Sequence, residues 1–247
     1  MWQSTRAFVA SAAGAFRLRG PVYQFGSEPA DGFSGAISLR DVFPETSYIH
    51  CQLDPDDHGT RLPLPDGAAG TVLWIGPLGN RWQTPEAGEE LMRILTRGGA
   101  LLAAVPAGGA LGRRTHVWSP APRTIQRLLG PAEVTLVGWQ GPDAAPHTLY
   151  GVGLKGPAGE AAVARTNRFL DGFQRRLDDL GRQVGWARRL LAFFAQCSGL
   201  GSGGPADREH YHVQFMVHLR VDRALGAEPL CDGPANDRTG TRLDAWE

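Results

Sequence analysis

The chain has 247 residues, a formal net charge of zero and a hydrophobic fraction of 42%. It is long enough to bury one good core, and the lack of any Lys or Arg run argues against nucleic acid or an anionic membrane surface as a partner. The three cysteines, Cys51, Cys197 and Cys231, form no C-x-x-C pair, which argues against a disulfide framework or structural zinc and fits a reducing, cytoplasmic setting.

In chain order, residues 4–18 read as a short helix beside the core. Its Phe8–Phe16 stretch is too short and too rich in Ala and Gly for a membrane span or a signal peptide. Val22-Tyr23-Gln24-Phe25 reads as a strand ending at Gly26-Ser27. A Gly-rich loop leads to a brief helix near Ile37–Phe43, stopped by Pro44. Tyr48–Leu53 is β-rich and reads as a second strand. Asp66-Gly67 is a turn pair in which glycine supplies the positive φ. Thr71–Ile75 is a continuous apolar run, the pattern of a strand covered on both faces of a parallel sheet. Ala87, Leu91, Ile94 and Leu95 recur at helical spacing within Glu86–Thr96, and Gly98-Gly99 is placed to end that helix. Ala100–Val105 is another buried run.

Ser119-Pro120 opens a helix containing Ile125, Leu128 and Leu129. Glu133–Trp139 and Leu149–Lys155 read as two further strands. This alternation predicts an α/β fold with a doubly wound, mostly parallel sheet. After Pro157 two helices are expected, one carrying Phe169, Phe173, Leu177 and Leu180, the next Trp186, Leu190, Leu191 and Phe194. Arg165, Arg168, Arg175 and Arg176 read as a solvated helix face. Gly199–Pro205 is a linker, and His210–Val221 fits either a strand or a helix. The expected organisation is an α/β domain over 1–156, a C-terminal helical extension over 157–225 and a disordered tail over 226–247. Lys155 is the single lysine among 25 basic residues, which reads as a base-composition bias.

The wording from Arg61 to Pro106 is more specific. Leu62-Pro63-Leu64-Pro65-Asp66-Gly67 precedes one apolar strand, and a G-G-x-L-L-x-x-x-P segment, Gly98 to Pro106, enters the next. This resembles the second half of the class I S-adenosylmethionine-dependent methyltransferases (type 11-like), and the resemblance covers residues 20–156. It implies a Rossmann-like methyltransferase sheet ending in an antiparallel hairpin, with S-adenosylmethionine as the methyl donor. It also implies a small-molecule or glycan-type acceptor. Ligands of such sheets sit outside the carboxyl ends of the strands, where the strand order switches.

On that resemblance the donor contacts fall at Gly26 and Ser27 after the first strand and at Gln52 and Leu53 ending the second. Arg61, Leu62 and Pro63 would form the adenine-side loop, and Ile75 and Gly76 would end the family's fourth strand. The family's third strand is reduced to the loop around 61–67. Two positions depart from the pattern. Gln24 stands where the family has an acid before the first glycine, and Gln52 stands where an acid holds the ribose. A neutral hydrogen bond there is about half as strong as a charge-assisted one. Asp54 is a second candidate if the strand ends later, and Asn80 reads as either a substrate contact or a turn residue.

Methyl transfer asks for proximity, in-line alignment and, for an oxygen nucleophile, a base. His116 is the catalytic candidate, with His50 and His147 as alternatives by position. No metal is expected, because His210, His212 and His218 lack a further ligand of suitable geometry. Two other readings compete. A non-catalytic descendant serving as a binding or assembly module is favoured by Gln24 and Gln52. A nicotinamide-dependent Rossmann enzyme would need a G-x-G-x-x-G turn that the chain lacks.

Overall fold

The computed structural model describes residues 2–25, 39–51, 61–76, 84–107, 121–141, 146–156, 159–197 and 213–219. Helix α1 (Trp2–Phe16) leads to strand β1 (Val22–Phe25), a 3-10 turn at Arg40–Val42 and strand β2 (Tyr48–Cys51). Then come β3 (Ala69–Ile75), α2 (Pro85–Ile94), β4 (Leu95–Pro106), α3 (Pro122–Leu129), β5 (Val134–Gln140) and β6 (Thr148–Leu154). Helix α4 (Glu160–Cys197) and strand β7 (Val213–Leu219) follow.

The strands form one sheet in the order β2-β1-β3-β4-β6-β5-β7. β1 is parallel to β2 and β3, and β3 is parallel to β4. β6 runs against both β4 and β5, and β7 runs against β5. The first five strands in chain order therefore share one direction, as a doubly wound sheet requires. The expected antiparallel pair is the β5–β6 hairpin. The described residues between β2 and β3, 61–68, are loop and turn, with no third strand among them.

Strand β3 is buried at every position. Its alternate side chains enter two separate cores, since successive residues point to opposite faces. Leu73 and Ile75 join α1 and α4, whereas Val72 and Trp74 join α2 and α3. On the first side, Phe8 of α1 meets Tyr150, Phe169 and Phe173 with ring centroids 4.9, 5.7 and 5.6 Å apart. Phe215 of β7 lies edge-on to Phe169 at 5.6 Å. Each such aromatic pair contributes about 0.5–1.5 kcal/mol beyond area burial. The segment after Pro157 thus completes one layer and one edge of the same sheet.

Several expected boundaries move, each for a physical reason. The two C-terminal helices are one, α4, because only glycines (Gly181, Gly185) and no proline separate their apolar stripes; an internal glycine costs about 1 kcal/mol and does not break a helix. Residues 213–219 are strand, paired along the whole length of β5. Helix α2 ends at Ile94, short of the Gly98-Gly99 pair. Leu95 already pairs with Ala69 in the sheet, and Gly98 takes a φ of +82° inside β4. The terminal carbonyls of α2 are capped by Lys155, whose ammonium donates to Met92 O at 2.6 Å and Leu95 O at 2.7 Å. The only lysine in the chain is therefore a helix cap, a use in which a compact three-donor group differs from a planar guanidinium. The helix near Ile37–Phe43 is the single 3-10 turn at Arg40–Val42 within the described residues. Helix α3 begins at Pro122, while Ser119 and Pro120 lie outside the described residues.

Gly88 marks the crossing of α2 over α3. A Cβ there would stand 2.2 Å from the Leu128 carbonyl oxygen. Gly14, exposed on α1, has nothing within 4 Å of that position. Gly88→Ala is expected to cost about 2 kcal/mol by forcing the helices apart. Gly14→Ala should instead add about 0.5–1 kcal/mol. Denaturant melts of the two variants will separate them by sign.

Candidate functional site

The strand order places the site. β1 lies between β2 and β3, so the chain leaves β1 toward one edge and later crosses to the other side. The crevice between the carboxyl ends of β1 and β3 is the switch point where open α/β sheets bind ligands. Register aligns those ends: Phe25 is level with Cys51 and Trp74, and Trp74 with Ala103. The carboxyl ends of β1, β2 and β3 therefore lie side by side. Gly76, directly after β3, has a φ of +117°, and among the described residues no atom lies within 4 Å of where a Cβ would be. Its backbone N–H is held by Ala104 O at 3.0 Å. Glycine is needed there for the backbone angle, since an L side chain would be strained despite the open space.

The 61–67 loop is tied down next to this crevice by two residues of α2. The buried Glu90 carboxylate accepts from the Leu62 N–H at 2.6 Å and from Arg93 Nε at 2.7 Å. Arg93 Nη2 also donates to Leu64 O at 2.8 Å and Leu62 O at 3.3 Å, and Nη1 pairs with Asp66. Gly67, at a φ of +68°, donates to Arg93 O at 3.1 Å. One guanidinium thus holds two carbonyls and two carboxylates, using the fork geometry that lysine lacks. Asp66 is a structural partner of the loop. Leu62 is buried with Phe25 and Trp74, so the loop covers the strand ends on the α2–α3 side.

The expected donor residues fare differently. Leu62 and Ile75 are buried, Ile75 on the α1–α4 side, so each offers the crevice its backbone only. Arg61 and Pro63 are exposed on the loop, and Gly76 lies at the strand end. Gly26, Ser27, Gln52, Leu53, Asp54, Asn80 and His116 lie outside the described residues, as do His210 and His212. Gln24 is buried and accepts a hydrogen bond from the Tyr48 phenol. Burial pushes that phenol up to about 12; the Leu39 backbone hydrogen bond opposes the shift and the Asp41 charge adds to it. Gln24 is thereby engaged in joining β1 to β2. Of the histidines among the described residues, His50 is exposed on β2, His147 stands where β6 begins, and His218 lies in β7 opposite Thr135.

Sequence reading missed the Glu90–Arg93 clamp. The available signal was a Glu-x-x-Arg pair on a helix that follows a Pro-Asp-Gly turn. No known family model matches the chain, and no curated protein is similar to it. Among solved structures it is similar to a probable spermidine synthase of Corynebacterium glutamicum, with 14% identity, 67% of this chain and 70% of that one covered, and a TM-score of 0.44. It is similar to a Thermotoga maritima protein described as a SAM-dependent methyltransferase, possible histamine N-methyltransferase, with 13% identity, 63% and 100% coverage, and a TM-score of 0.34. A 16S rRNA adenine N1-methyltransferase of Catenulisporales acidiphilia gives 14%, 60%, 92% and 0.38 in the same order. These are distant likenesses, and the functional conclusion rests on the residues of this chain. No helix among the described residues is long and apolar enough to cross a membrane.

The clamp has a defined pH response. Arg93 holds the Glu90 carboxyl below its ordinary 4.5, with the Leu62 N–H adding to the effect and burial opposing it. A depressed carboxyl contributes fully above its unfolded pKa and loses that contribution as pH falls through the folded one. Protection of the Leu62 amide from hydrogen exchange should therefore hold at pH 6 and fade below about pH 4. In Arg93→Met it should drop by about tenfold already at neutral pH.

Proposed function

We propose that the chain is an S-adenosylmethionine-dependent methyltransferase acting on a small-molecule or glycan-type acceptor. The observation that carries this is a clamped Leu-Pro-Leu-Pro-Asp-Gly loop beside the switch point of a sheet that ends in an antiparallel hairpin. The described part of the crevice fits the donor. A glycine with positive φ stands at the end of β3, with no described atom within 4 Å of where its Cβ would lie, which supports close approach of backbone to a ligand. The adjoining loop is held in one conformation, which lowers the entropy lost on binding. On this reading Gly26 and Ser27 hold the amino-acid end and Gln52 and Leu53 the ribose. The Arg61–Pro63 loop covers the adenine, and the backbone of Ile75 and Gly76 lines the reacting end.

When bound, the donor supplies a methyl group already activated by a sulfonium. What remains for the protein is alignment, exclusion of water and, for some acceptors, proton removal. Gln24 favours a second reading, a catalytically inactive protein of this fold used as a binding or assembly module. Its amide is neutral and engaged by Tyr48, so it supplies no charge to a donor ammonium.

Calorimetric titration separates the two readings. S-adenosylmethionine and S-adenosylhomocysteine should each bind in the micromolar range, and Gly26→Leu should weaken both by about tenfold or more. A folded protein that gives no heat and no thermal shift at millimolar ligand would sink the methyltransferase reading and leave the module in front.

A further inference from the structure

The two edges of the sheet are built differently. β2, at one edge, has four residues. β7, at the other, has seven and pairs along the whole of β5, from Val213 opposite Gln140 to Leu219 opposite Val134. Its sequence, Val-Gln-Phe-Met-Val-His-Leu, contains no proline and no Lys, Arg, Asp or Glu. Its register with β5 is unbroken, so no bulge turns it aside. Prolines, charges and bulges are the devices by which edge strands refuse a further strand. Among the described residues nothing pairs with the outer side of β7. Phe215, Met216 and Val217 are half-buried. Helix α4 leaves the edge clear. Phe173 meets Tyr150 of β6 and Phe215 of β7, with ring centroids 5.4 and 6.0 Å apart, so the helix lies over β5, the strand between them.

We infer that β7 docks a second copy of this chain, pairing antiparallel with its own equivalent about a two-fold axis through Met216. The strand's sequence selects this partner. In that register Val213 stands opposite Leu219 of the second copy, Gln214 opposite His218 and Phe215 opposite Val217, and Met216 stands opposite itself. Residues of like polarity meet at every position, and no two like charges face each other. A slip of one or two residues in either direction sets Gln214 or His218 against an apolar residue. The faces agree as well. Val213, Phe215 and Val217 belong to the α1–α4 core and Met216 to the α2–α3 core, and a two-fold axis normal to the sheet keeps each face continuous across the seam. The two α4 helices would stand three strand spacings apart, about 14 Å, so they do not collide. A formal net charge of zero adds no overall repulsion between copies. The contact is isologous and closes at two subunits. It stands apart from the methyl-donor reading and does not depend on it.

Sedimentation equilibrium of the full chain at up to about 100 μM is expected to give twice the chain mass. The register is tested by cross-linking. Directly opposed residues of an antiparallel pair have Cα atoms about 4.5–5.5 Å apart, within disulfide reach, whereas Gln214 would lie about 13 Å from its own counterpart. Mild oxidation should join Met216→Cys into a covalent dimer through position 216, identified by peptide mapping against the native cysteines. Gln214→Cys should not be joined at position 214 unless His218→Cys is added, and then 214 should link to 218. A monomer at that concentration, folded by circular dichroism, would overturn the inference. So would a dimer in which position 216 fails to link, or in which 214 links to itself as readily.

Discussion

Strand β3 has no residue in contact with solvent to any useful degree, and much else follows from that. A strand covered on both faces must feed side chains alternately into two cores, so the chain has to supply helices to each side. It does so with α1 and α4 on one face and α2 and α3 on the other. With both faces and both neighbouring ladders occupied, the only part of β3 that can meet a ligand is its carboxyl end. The position of the candidate site is a consequence of that burial combined with the switch in strand order at β1.

The same burial explains why the loop before β3 is clamped. Leu62 must pack under the strand ends with Phe25, which draws backbone N–H and carbonyl groups of the loop away from water. Such groups are costly unless paired. Glu90 and Arg93 pair them, and each satisfies the other's charge. A buried ion pair contributes little net stability by itself. Its effect here is geometric, since three groups of one loop, Leu62 O, Leu64 O and the Asp66 carboxylate, are referred to one guanidinium on a helix already fixed by packing.

Gln24 and Lys155 each have a structural explanation. Gln24, buried in β1, bridges to the Tyr48 phenol across β1 and β2. A carboxylate at that buried position would carry a desolvation cost that an amide avoids. Lys155 is similar: in a chain whose basic residues are otherwise all arginine, it is retained where two converging carbonyls at a helix end suit a compact ammonium.

Much of the fold was legible from sequence, because burial leaves periodic traces. The apolar runs at Thr71–Ile75 and Ala100–Val105, the helical spacing of Ala87, Leu91 and Ile94, and the Asp66-Gly67 turn all follow from local pattern. So does the alternation that implies a doubly wound sheet. Local pattern could not say that Leu95 leaves the helix to pair with Ala69, or that the C-terminal chain returns as a strand against β5. It also could not place Glu90, Arg93 and Asp66 in one cluster. Nor could it show that Gln24 is engaged by Tyr48. Each of these depends on partners distant in sequence, and their energy exists only once the strands are in register. Periodicity records which side of an element is buried; only the tertiary structure decides what it is buried against.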